Sequence, residues 1–390
     1  MTIHAQGLSV EVLQIQLSAD RAIAGQLDTL KSLSPHLLLA FGAIDRIAAP
    51  GWLPELRAAF PDAELAGCSA SGEISEQGLA DGQLVLTGIR FDAPGLHSAT
   101  VDVTDPAESR SAGLRLGRAL AERGAVHSAL VFAPGVGING TQLIEGLQSA
   151  LGAEVALSGA FAGDGGAFQR SLTVCSDGAF EQRVVAVGFD SPRVRLRRGC
   201  SHGWRAFGPQ RSVTRADGRR LLELDGEPAL ATYKQYLGEH ARDLPMSALL
   251  FPFELLAEAS DSAGLIRTPL AVDESDGSLT LAGDVAVGNS LRLMHGTTDS
   301  LVEGAMAAAQ QARAEAAGES VALLVSCVGR KIVMGRRADE EFEAARAVFG
   351  AGTTIAGLYA HGGISPAPHT ADCKLHNQSV IVTHLTEMPA

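Results

Sequence analysis

The chain has 390 residues, 46% hydrophobic and only 19% charged, with 44 glycines and a formal charge of −13. A disordered chain would be apolar-poor and highly charged, and general nucleic-acid binding needs a positive footprint, so both classes are excluded. No run of about 18 uncharged apolar residues exists for a membrane span, and five scattered cysteines make no disulfide framework. The expectation is a cytoplasmic α/β protein with no nucleic-acid partner and no membrane insertion.

Taken in chain order, the elements repeat. Residues 36–41 (HLLLAF) form an apolar run that reads as a buried strand, followed by a helical stretch at Leu53–Phe60. A short strand then enters the glycine-rich stretch 63–75 (AELAGCSASGEIS), and residues 83–91 read as a further strand. The same order recurs with the strand at 129–133, a helix at Thr141–Leu151, the turn at 155–166 (VALSGAFAGDGG) and the strand at 183–189. It recurs again with 322–327, a helix at Asp339–Phe349, the turn at 353–365 (TTIAGLYAHGGIS) and the strand at 379–385. The predicted class is α/β, with two domains of mixed sheets flanked by helices. It is built on a repeated strand, helix, strand, glycine turn, strand unit. Recurrence of the glycines at one place in the unit points to a shared edge that lines a ligand.

Between Arg193 and Arg220 lie nine arginines against one acid, Asp217. The run begins Arg193-Val-Arg195-Leu-Arg197, an alternation that sets arginines on one face of a strand. It reads either as a solvated strand face or as a patch for the carboxylates or phosphates of a ligand or partner. Residues 217–228 read as a turn, a short strand and a second turn, with Pro228 opening a helix over Ala229–Leu237. The composition shift near Arg220 places a boundary there, giving domains 1–220 and 221–390.

These stretches resemble the FIST family of intracellular signal-transduction proteins over most of the chain. The N-terminal domain is suggested by residues 67–74 (GCSASGEI), 159–165 (GAFAGDG), Gly203-Trp204-Arg205 and Val213–Ala216. The C-terminal domain is suggested by residues 222–229 (LELDGEPA), Ser326–Arg330, 357–364 (GLYAHGGI) and Leu375-His376-Asn377. The resemblance implies a bacterial sensor that binds a small molecule and passes the signal on. Both domains together account for the length, so the output is expected in trans, from a sensor histidine kinase or another signalling protein. One branch of the family resembles haem-containing nitric-oxide sensors. Two readings of the ligand therefore stand: haem b with nitric oxide, or a small polar metabolite such as an amino acid. The chain departs from the family at the C-terminal turn, where His361 replaces an aromatic and Gly363 a glutamate.

For haem, the candidates are His361 as the metal ligand, with His202 and His376 as further candidates and Arg205 to pair a propionate. His376 also reads as a structural hydrogen-bonding residue. His4, His97, His127, His240 and His369 lie in loop-like or terminal sequence and read as surface or structural. For a polar ligand, the candidates are Cys68, Ser69, Gly72, Glu73, Asp164, Arg330, Tyr359 and Asn377. Cys68 equally reads as a small buried hydrophobe, and Glu73 and Asp164 as turn carboxylates bonded to nearby backbone. Gly135-x-Gly137-x-x-Gly140 lacks an acidic partner about 20 residues on and reads as a turn rather than a dinucleotide loop. Cys68-Ser69 lacks the glycine spacing of a nucleophile elbow, so no enzyme is expected.

Overall fold

Leu37–Ala43 is buried over nearly its whole length, as an apolar run without alternation requires of a strand covered on both faces. It lies parallel to Glu64–Ala70, with Leu84–Arg90 antiparallel on its other side and Glu11–Gln16 beyond. The structure is a computed structural model and describes residues 10–256, 264–316, 318–366 and 370–389; His4 and His369 lie outside them. The same order is built twice more. Ser128–Ala133 runs parallel to Ala156–Phe161, with Arg183–Phe189 and Leu96–Asp102 alongside. Ser320–Cys327 runs parallel to Thr353–Ala360, with Val380–Glu387 and Val194–Ser201 alongside.

Each sheet is completed to six strands by a hairpin from another part of the chain. Thr173–Cys175 and Gly178–Phe180 join the first sheet, Gly362–Pro366 and Cys373–His376 the second, and Glu73–Ser75 and Gly78–Ala80 the third. The exchange is cyclic, and a ring of three backbone hydrogen bonds closes it. Ser71 N donates to Tyr359 O at 2.7 Å, His361 N to Phe161 O at 3.0 Å and Gly163 N to Ser69 O at 2.8 Å. Strand pairing therefore crosses residue 220 in the second and third sheets.

The inner faces of the three sheets share one core that includes Phe41, Phe132 and Val325, with Phe41 and Phe132 ring centroids 5.5 Å apart. On each outer face, helices cover a second core: Trp52–Ala59 on the first sheet, Ser109–Ala121 and Gly140–Leu151 on the second, Thr298–Ala312 and Glu340–Phe349 on the third. The repeated glycine has a steric cause here. A Cβ at Gly67, Gly159 or Gly357 would lie 1.9, 1.8 or 2.0 Å from the carbonyl oxygen of Ala40, Val131 or Leu324 on the paired strand. Strand packing, rather than a ligand, accounts for that position.

Between Ser201 and Thr298 the chain inserts an eight-stranded antiparallel sheet, from Arg205–Asp217 to Ser290–His295, with its own core around Leu221, Tyr233 and Leu291. The helix Ala229–Leu237 lies on it, and Pro228 stands at its N-cap, one place before the first helical position. No helix among the described residues is long and apolar enough to cross a membrane.

Candidate functional site

A cavity of about 700 Å³, including its open mouth, lies between the second sheet, the third sheet and the inserted sheet. The loop Gly135–Gly140 and the first turn of the helix Gly140–Leu151 form one wall. Thr268, Leu270, Ala282 and Gly283 of the insert form another, and Cys327–Gly329 with Leu375, Asn377 and Gln378 form the third. Asn139 caps the helix by accepting from Gln142 N at 3.1 Å, and its amide donates to Asp284 at 3.2 Å, tying the helix to the insert.

His361 sits in the wall of this cavity. Its Nε2 is 2.9 Å from Asp164 Oδ1, and its Nδ1 is 3.4 Å from Gly135 O. The Phe168 ring stacks on it with centroids 4.3 Å apart. Asp164 also accepts from the backbone N–H groups of Phe168, Gln169 and Arg170. Burial alone would raise this carboxyl, but the bonds from His361 and the three amides outweigh it and hold it well below the usual carboxylate range. Asp164 thus pins both the imidazole and the loop that carries Phe168, a residue in the left-handed region with φ 54°.

The electrostatics of the cavity lie mainly in groups without partners. Thr141 Oγ1, Thr268 Oγ1, Asn377 Oδ1 and Gln378 Oε1 are buried without a hydrogen bond, four of the eight such side-chain atoms among the described residues. Buried polar atoms are normally satisfied, and leaving one bare costs about 1–3 kcal/mol. Gln378 is fully buried in the left-handed region at φ 48°, and Arg219, which has no carboxylate partner among the described residues, also lines the cavity.

Of the residues singled out in the sequence, His361 and Asn377 line this cavity, Asp164 reaches it only through its bond to His361, and the others do not line it. Cys68 is fully buried in the central core, and burial pushes its thiol far up. Ser69 donates to Gly163 O at 2.6 Å and accepts from Leu172 N at 2.9 Å, closing the junction between two sheets. At Gly72, φ is 141° and a Cβ would lie 2.7 Å from Lys331 Nζ. Glu73 is buried, with one carboxylate oxygen accepting from Gln83 N and the other bare, and burial pushes it up to about 7. Arg330 and Tyr359 converge on Glu341, a residue sequence reasoning missed. Tyr359 donates to Glu341 Oε2 at 2.6 Å and Arg330 Nε to Oε1 at 2.8 Å, while the remaining Arg330 donors meet the carbonyls of His202, Gln378 and Leu301. With no exposed surface and its donors engaged, Arg330 has none to offer a ligand. Arg205 is exposed and pairs with Glu303.

A haem iron would need a free imidazole nitrogen aimed into the cavity. At His361, one nitrogen is bonded to Asp164, the other faces Gly135, and one ring face is covered by Phe168, so the residue does not fit an axial ligand. His376 has both nitrogens engaged, by Cys200 and by Ser365 O. His202 accepts from Trp204 N through Nδ1 and lines a different cavity. Among the described residues, no three His, Cys, Asp or Glu side chains come together as a metal site.

Two family models account for most of the chain: the FIST N domain matches residues 36–227, and the FIST C domain matches residues 229–366. The chain belongs to the FIST family. Membership makes the protein a sensor of signal transduction. No curated protein matches the FIST chain in sequence. Among solved structures, the crystal structure of cyanuric acid hydrolase from A. caulinodans is similar at 12% identity and a TM-score of 0.38, covering 97% of this chain and 99% of that one. At that distance the likeness carries no functional argument.

Signals for the missed residues were partly present. The Gly135–Gly140 loop lies between a strand and a helix, a place where its glycine spacing alone signals no more than a turn, and it forms a cavity wall. Thr141, Thr268 and Gln378 carry no motif, because their role depends on three segments meeting in space.

Proposed function

We propose that this FIST protein senses a small polar metabolite, of amino-acid or small-carboxylate type, held in the cavity beside His361. The observation that carries the reading is the group of four buried, unpartnered side-chain atoms, Thr141 Oγ1, Thr268 Oγ1, Asn377 Oδ1 and Gln378 Oε1. Two amide oxygens call for N–H donors on the ligand, and two hydroxyls serve as donor or acceptor. The first turn of the helix Gly140–Leu151 and the Arg219 guanidinium favour an acidic group at the other side. Closure over the ligand involves the insert, which supplies Thr268 and Leu270, so occupancy biases how the insert sits on the ring. The signal then passes to a partner, for which a histidine kinase is the class the family resemblance offers.

A thermal-shift screen with amino acids and small carboxylates tests the reading. A ligand at 100 times its Kd stabilises by about 2.7 kcal/mol through mass action. Asn377→Ala is expected to abolish most of the shift, and absence of any shift across the panel at millimolar concentration counts against the site. Haem with nitric-oxide sensing is disfavoured by the engaged nitrogens of His361, and a Soret band that survives His361→Ala and disappears in His202→Ala would restore it at the other cavity.

A further inference from the structure

A second cavity lies across the Leu375–Asn377 segment from the first, about 1440 Å³ including its open mouth. Arg197, Arg198, Cys200, His202 and His376 are on its walls. Cys200 comes from the strand Val194–Ser201 at the edge of the third sheet, and His376 ends Cys373–His376 in the second. The fold brings Cys200 Sγ to 3.3 Å from His376 Nδ1. The other ring nitrogen, Nε2, lies 3.0 Å from Ser365 O. A carbonyl only accepts, so Nε2 carries the ring hydrogen and Nδ1 turns its lone pair to the thiol. A thiol, a base and a group that orients the base is the arrangement of an activated nucleophile.

The pair rests on geometry rather than on charge. Burial holds His376 down to about 4, which keeps the imidazole neutral near pH 7 with Nδ1 facing the thiol, and makes it a weak base that takes the proton only as the C–S bond forms. Burial also pushes the Cys200 thiol up to about 12, so no thiolate is resident and the proton has to leave during attack. Cys200 is half-buried, whereas the other four cysteines are buried. Of the nine arginines between residues 193 and 220, Arg193, Arg205, Arg211, Arg215 and Arg220 pair with acids. Arg197 and Arg198, on this cavity wall, have no carboxylate partner among the described residues. Arg198 donates only to Leu157 O and the Cys373 thiol.

We propose that the second cavity is a covalent site for small carboxylates that carry an electrophilic carbon. The acid group lies against Arg198, which shares the strand face of Cys200, with Arg197 adding positive charge from the outer face at the cavity's edge; the carbon meets Cys200 Sγ, and His376 is the base. In the step, the C–S bond forms as the S–H bond breaks, and the thiol proton passes to His376 Nδ1. Where the electrophile is a C=C or C=O group, the same proton returns to the α-carbon or the oxygen. The adduct then needs no leaving group and no oxidant, and it reverses by the same path. The site stands independently of the ligand in the first cavity.

Alkylation of the full chain at pH 7.5 with iodoacetate and with iodoacetamide, read by peptide mass spectrometry, tests this. Here the C–S bond forms as the C–I bond breaks and iodide leaves. Labelling is expected at Cys200 alone, with iodoacetate faster than iodoacetamide by roughly tenfold through charge attraction. Arg197→Ala lowers that preference, read as the ratio of the iodoacetate to the iodoacetamide rate within the same variant. His376→Gln slows both reagents roughly 100-fold. Native protein that stays unlabelled at Cys200, or an unchanged reagent preference in Arg197→Ala, overturns the proposal. Should His376→Gln fail to fold, Arg197→Ala carries the test, because its side chain is exposed on an edge strand.

Discussion

The two cavities share a wall and differ in chemistry. Along Cys373–His376 and the turn after it, Leu375 and Asn377 line the first cavity while His376 lines the second, because successive side chains of an extended segment point to opposite sides. The first cavity carries neutral amides and hydroxyls without partners, and its histidine is locked to Asp164. The second carries two arginines without carboxylates and a histidine aimed at a thiol. One three-residue motif thus serves a binding surface and a reactive one. Unsatisfied neutral groups mark where a ligand completes the structure, whereas a satisfied thiol–imidazole pair marks where a proton can move.

Both cavities rest on one buried ion pair, and breaking it gives the largest expected effect. Arg330 Nη1 donates to Gln378 O beside the first cavity and to His202 O beside the second, while Glu341 holds the guanidinium at 2.6 Å. Glu341→Ala leaves a buried charge unpaired, at a cost of about 3–5 kcal/mol. Denaturant unfolding should show that loss, and both ligand binding and Cys200 labelling should change together. A variant that loses one function and keeps the other would show that the cavities do not share this support.

Acid should separate the cavities next. His376 and His202 are lowered from 6.5 to about 4, in both cases chiefly by burial. A base depressed in the folded state contributes stability that is present above its unfolded pKa and lost as pH falls through the folded one. The second cavity therefore loses stability between about pH 6.5 and 4, by up to about 3 kcal/mol for each fully displaced histidine. Asp164, held low, contributes stability that is lost only as pH falls below the ordinary range for aspartate, near 3.8. Unfolding midpoints across pH should be flatter between 6.5 and 4 in His376→Gln and unaltered there in Asp164→Asn.

Much of the framework was legible because buried strands and amphipathic helices write local patterns. The run at 36–41 became Leu37–Ala43, the helix expected at Thr141–Leu151 is Gly140–Leu151, and residues 183–189 are a strand as read. The alternation Arg195-Leu-Arg197 does set arginines outward, with Leu196 buried between them. What the run does as a charge was not legible, because its partners are distant: Asp92 for Arg193, Glu303 for Arg205, Asp276 for Arg220. Similarly, Arg330 and Tyr359 looked like ligand contacts because nothing near them in sequence announces Glu341. Asn377 could be found through its motif, while Thr268 and Gln378 became visible only once the insert was folded over the ring.

The smallest expected effect is also the sharpest test of what the bare polar atoms mean. Thr268 is buried, with its backbone carbonyl accepting from Ala282 N at 2.9 Å and its hydroxyl oxygen bare. Thr173 is equally buried, but its hydroxyl donates to Arg183 O at 2.5 Å. Replacing either with valine keeps the shape and removes the hydroxyl. At Thr173 the change costs about 1 kcal/mol, since a made hydrogen bond and its acceptor's partner are lost. At Thr268 it removes a desolvated group that has nothing to lose, so the free protein should be unchanged or more stable by about 1 kcal/mol, while ligand affinity falls by roughly threefold to tenfold. Cys200 labelling should not respond to Thr268→Val. If Thr268→Val destabilises the free protein as much as Thr173→Val does, the hydroxyl is satisfied in the unliganded state, and the bare atoms of the first cavity lose their meaning as places kept for a ligand.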